Sequence, residues 1–91
     1  MAYKARWIVY LHSPFPGSFD VVHASSIKHA REYLKAYAKD TGFTNPTASL
    51  YAYTEEMWEE AMDFKDTGCP FDYPAYVMEF GPKGGIQVER C

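Results

Sequence analysis

Hydrophobic and polar positions alternate at the start of the chain. In "YKARWIVYLH", residues 3 to 12, Tyr3, Ala5, Trp7, Val9 and Leu11 share one side, while Lys4, Arg6, Ile8, Tyr10 and His12 share the other. Period two is the pattern of a strand with one clearly apolar face. After "HSPFPGS", rich in turn formers, "SFDVVHA" is short, β-branched and aromatic, which predicts an antiparallel return and hence a hairpin. The period then changes. In "SSIKHAREYLKAYAKDTG", Ile27, Ala30, Leu34, Tyr37 and Thr41 recur at helical spacing, a serine stands ready to cap the start, and Gly42 occupies the place of a C-cap glycine.

"TASLYAYT" returns to period two, with Ala48, Leu50 and Ala52 on one side and Ser49, Tyr51 and Tyr53 on the other. Thr54 ends it and can cap "EEMWEEAMDF", an amphipathic helix of about three turns. Its apolar stripe is Met57, Trp58, Ala61, Met62 and Phe64, and its first turn carries Glu55 and Glu56, which suit the positive end of the helix dipole. "PAYVMEF" and "GIQVER" flank "GPKGG", whose proline fits the first central position of a turn and whose glycines allow positive φ beside a bulge. The predicted order is ββαβαββ. Two helices, each with an apolar stripe, need a sheet to lie on, so the expected fold is α+β. It is a two-layer sandwich with a mostly antiparallel sheet and both helices on one face.

At 91 residues the chain supports one hydrophobic core and is expected to be a single domain. Apolar residues make up 47% and charged residues 23%, outside the range of disordered chains. No apolar run reaches the length of a membrane span, and the N-terminal stretch is too short and aromatic for a secretory signal. With only two cysteines, Cys69 and Cys91, a disulfide scaffold is not expected. A cytoplasmic protein without membrane attachment is the expectation.

The net charge of −3 disfavours general affinity for nucleic acid. It also conceals a division. Lys28, Arg31, Lys35 and Lys39 sit on the first helix, and Glu55, Glu56, Glu59, Glu60 and Asp63 on the second, with Asp66 and Asp72 beyond it. The acids stand at spacings that could share a metal, but helical carboxylate sites add histidines and a second contributing helix, and no histidine follows residue 29. The acidic strip is therefore expected to face solvent, to be neutralised by the basic helix alongside, or to meet a basic protein partner. His12, His23 and His29 match no metal-ligand spacing, and nothing beside Cys69 activates it as a nucleophile. "GPKGG" lacks the helix that a phosphate loop requires. No catalytic residue, metal or cofactor is expected.

Eight tyrosines and 18% aromatic residues are the remaining signal. With Trp7, Val9 and Leu11 under the helices, Tyr10, Tyr51, Tyr53 and Tyr76, joined by Met78 and Phe80, are expected on an uncovered sheet face. Such a face suits a protein partner or homodimerisation. Stacking of unpaired bases is the alternative.

The runs "FDVVHASSIKHAREYLKAYAKDTG", "ASLYAYTEEMWEEAM" and "YVMEFGPKGGIQVER" resemble small accessory proteins encoded by phages of actinobacteria. The resemblance spans most of the chain and carries over no functional residue. It implies a protein made inside a host bacterium that acts by binding a host protein. The expected function is a noncatalytic binding module that uses the Glu55, Glu56, Glu59, Glu60 and Asp63 strip, the aromatic face, or both.

Overall fold

Strand β1 (Trp7–His12) and strand β2 (Phe19–Ala24) lead into helix α1 (Ile27–Thr41); strand β3 (Thr47–Ala52), helix α2 (Glu55–Asp63), strand β4 (Tyr76–Phe80) and strand β5 (Ile86–Arg90) complete the chain. The structure, a computed structural model, describes residues 4–12, 19–42, 45–64, 71, 73–82 and 84–91. The predicted ββαβαββ order and the α+β class are both observed. All five strands form one antiparallel sheet in the order β2-β1-β3-β4-β5.

The local signals act where the pattern places them. Ser26 is the N-cap of α1, its Oγ accepting from the His29 N–H at 3.1 Å. Gly42 closes that helix at φ 71° and donates its N–H to the Ala38 carbonyl, a left-handed cap that other residues adopt with strain. Gly84, at φ 83°, donates to the Gly81 carbonyl at 3.0 Å, so the turn after Phe80 uses its proline and glycine as predicted. The first hairpin pairs Trp7 with Ala24 through to His12 with Phe19; its connecting turn lies outside the described residues.

The two-layer expectation is overturned by the packing of the helices. Ala30 and Leu34 of α1 lie against Val9, Leu11, Ala24, Leu50 and Met78 on one face. Ala61 of α2, with Met57, Trp58 and Met62, lies against Ile8, Tyr10, Val21 and Tyr51 on the other. The helices therefore sandwich the sheet between them, in three layers. The physical reason is visible in β1, where Ile8, Val9, Tyr10 and Leu11 are four consecutive residues at most 2% exposed. A strand buried on both sides has apolar residues at successive positions rather than only at alternate ones, and "WIVYL" is such a run.

Candidate partner-binding surface

The surface begins with the way α2 starts. Thr54, in extended backbone at the end of β3, accepts the Met57 N–H on its Oγ1 at 3.0 Å, while its carbonyl receives the Trp58 N–H. Ala61 is fully buried, so the helix meets the sheet through its C-terminal half. The half-buried Met57, Trp58 and Met62 flank that contact. Glu55, Glu56, Glu59, Glu60 and Asp63 occupy the opposite side and are all exposed. Phe64 departs from the predicted stripe: it ends the helix and is 47% exposed.

Lys28, Arg31, Lys35 and Lys39 are also exposed, but on α1 and therefore beyond the other face of the sheet. Neutralisation of one helix by the other lying alongside is thus ruled out by the topology. Glu55 and Glu56 suit the positive end of the dipole, but the acids as a set oppose the local preferences of their helix. Pairs 55/59, 56/60 and 59/63 are like charges one turn apart, and Glu60 and Asp63 sit towards the negative end of the dipole, with no basic residue in the last turn.

Beside the first turn of α2, Lys4, Ala5, His23, Tyr53 and Glu55 line an open cleft of about 520 Å³. Arg6 assembles it. Its N–H donates to the Ala24 carbonyl at 2.8 Å and its carbonyl receives the Tyr53 N–H at 2.9 Å, which tethers the ends of β2 and β3 to either side of β1. The His23 ring then stands edge-on to Trp58, centroids 4.8 Å apart, and to Tyr53 at 6.0 Å. A cation, an anion and aromatic edges thus surround a hollow continuous with the acidic face through Glu55. Lys4 and Tyr53 share the sheet face on which the alternating pattern set them, whereas His23, weighed only as a metal ligand, was not foreseen beside them, because only cross-strand pairing brings it there.

The tyrosines expected on one open face are divided. Tyr10 is fully buried and Tyr51 is 7% exposed beneath α2, where Tyr10 meets Tyr51 edge-on at 5.7 Å and both rings contact Phe71. Tyr53 is half-buried in the cleft wall. Tyr76 lies on the α1 side, opposite Leu50 and edge-on to Trp7 at 5.3 Å, with Met78 and Phe80 on that same side. The open aromatic face is therefore a correction: α2 covers part of it, and β4 sends its aromatics to the other layer.

The three histidines are dispersed as well. His23 is in the cleft, and His29 is on α1 with its Nδ1 receiving the Ser25 N–H at 3.2 Å. His12, at the end of β1, is stacked at 6.2 Å on Tyr10, and burial pushes its imidazole below the ordinary value of 6.5. Among the described residues no three His, Cys, Asp or Glu side chains converge as a metal site, and no helix is long and apolar enough to cross a membrane. Cys69, Asp66 and Asp72 lie outside the described residues. In comparisons with known proteins, the chain matches no family model, no curated protein and no solved structure.

Proposed function

We propose that this chain is a noncatalytic protein-binding module of the phage accessory type, docking a basic region of a host protein on the outer face of α2. The observation that supports this reading is the position of five exposed carboxylates across the sheet from the basic helix. That arrangement separates the acids from the cations of α1 and leaves like charges one turn apart along α2, a conflict that an external cationic partner resolves. The adjoining cleft between Lys4, His23, Tyr53 and Glu55 offers a place for a side chain of the partner to anchor. Base stacking on the sheet receives no comparable support, since Tyr10 and Tyr51 are under α2.

Affinity capture from bacterial lysate tests the proposal. The wild-type protein is expected to retain a defined basic protein, in a nuclease-resistant and salt-sensitive manner. E56K/E59K/D63K, checked for folding by circular dichroism, is expected to lose it. Retention of nucleic acid alone, or capture indifferent to that charge reversal, would count against the proposal.

A further inference from the structure

Among the described residues, β5 forms one edge of the sheet. It pairs with β4 in the register Tyr76↔Arg90 to Phe80↔Ile86. At its two ends the Gly81 N–H donates to the Gly85 carbonyl at 2.7 Å and the Cys91 N–H donates to the Ala75 carbonyl at 3.1 Å. Both bonds belong to the same set of alternate pairs, so Gln87 and Glu89 between them also turn their backbone groups towards β4. Ile86, Val88 and Arg90 therefore turn theirs outwards, and among the described residues no strand lies on that side. Their side chains lie on the α1 side of the sheet, where α1 packs over β1 and β2 at the far end. Phe80, Ile86 and Val88 are left half-buried there.

We infer that β5 pairs antiparallel with β5 of a second copy, centred on Val88. An antiparallel strand pair is related by a two-fold axis perpendicular to the sheet, so one residue lies opposite itself. Centring on Glu89 would oppose like charges and centring on Gln87 would leave Arg90 beyond the partner strand, whereas Val88 is the middle of β5. This register opposes Val88 to the partner's Val88 and Ile86 to the partner's Arg90, with all the outward N–H and C=O groups of these residues bonded across the edge. Gln87 falls opposite the partner's Glu89, so no like charges face one another. A hollow of about 360 Å³ lined by Gly81, Pro82, Gly85, Ile86 and Gln87 adjoins Ile86 and offers room for the stem of the partner's Arg90. Ten strands then form one continuous sheet. The perpendicular axis keeps both α2 helices on one side of it, so the dimer presents two acidic faces in the same direction. This pairing does not depend on the proposed function, although it would make binding to a repeated basic target bivalent.

Sedimentation velocity across a concentration series, with amide hydrogen exchange read on the same samples, tests the inference. The expected results are a shift from monomer to dimer mass and, in step with it, slowing of exchange at Ile86, Val88 and Arg90, while Gln87 and Glu89 are protected throughout. V88P removes an outward N–H and no bond to β4, which edge strands tolerate. It is expected to weaken dimerisation by about tenfold or more. In a C69S/C91S background, V88C is expected to crosslink two copies under oxidation, since facing residues of such a pair lie within disulfide reach. A monomer at every concentration would overturn the inference. So would a dimer whose Ile86, Val88 and Arg90 amides stay unprotected, or a V88C variant that dimerises without crosslinking.

Discussion

Single residues in this molecule act through their position in a layer. His12 closes β1, opposite Phe19 on one side and Thr47 on the other, and burial lowers its pKa. The unfolded chain therefore takes up a proton near pH 6.5, whereas the folded chain resists it. Stability from this group is fully present above about pH 6.5 and falls as pH drops towards the depressed folded value, below which it levels. H12Q should remove that slope. Urea midpoints for both proteins, measured in steps below neutrality, are expected to converge as the pH falls, and parallel curves would refute the assignment. Thr54 offers a second case, because its Oγ1 accepts the Met57 N–H. T54A should cost about 1 kcal/mol, detectable as a lower melting temperature.

The sequence pattern disclosed the elements more fully than the way they meet. Ser26, Gly42, Thr54 and the proline and glycines of residues 81–85 are local signals whose effects span only a few bonds, and each acts where the pattern put it. The side of the sheet on which a helix lands is set by the path of the chain between elements. For α2 the most direct clue was the doubly apolar run "WIVYL". Tyr76 was misplaced for a related reason: its face follows from the Leu50 pairing, which no periodicity within β4 specifies. The acidic strip was legible as a strip, but its isolation from the basic helix was not. That isolation gives α2 a distinctive expected behaviour. E59K replaces a like-charge neighbour of both Glu55 and Asp63 with an opposite one, which should stabilise the helix by about 0.2–0.5 kcal/mol per pair while weakening partner capture. A variant that loses both stability and capture would indicate that Glu59 supports the fold instead.

At the scale of the whole molecule, the sheet lies between the basic residues of α1 and the acids of α2. The shortest principal extent is 26 Å, against a Debye length of about 8 Å at physiological ionic strength, so a partner on α2 is largely screened from the cations of α1. Net charge and face charge therefore make different predictions. Replacing Lys28, Lys35 and Lys39 with glutamine makes the protein more acidic without touching α2. If attraction to the partner follows net charge, that variant should bind more tightly and associate faster. Docking on the α2 face predicts a dissociation constant within about twofold of the wild type at physiological salt, the difference growing only as salt is lowered and the Debye length approaches the width of the molecule. Surface plasmon resonance against the captured partner at two ionic strengths distinguishes them. A large gain in affinity at physiological salt would move the docking site off α2 or make it nonspecific, whereas near-equality, alongside the loss expected for E56K/E59K/D63K, would assign recognition to one side of the sheet.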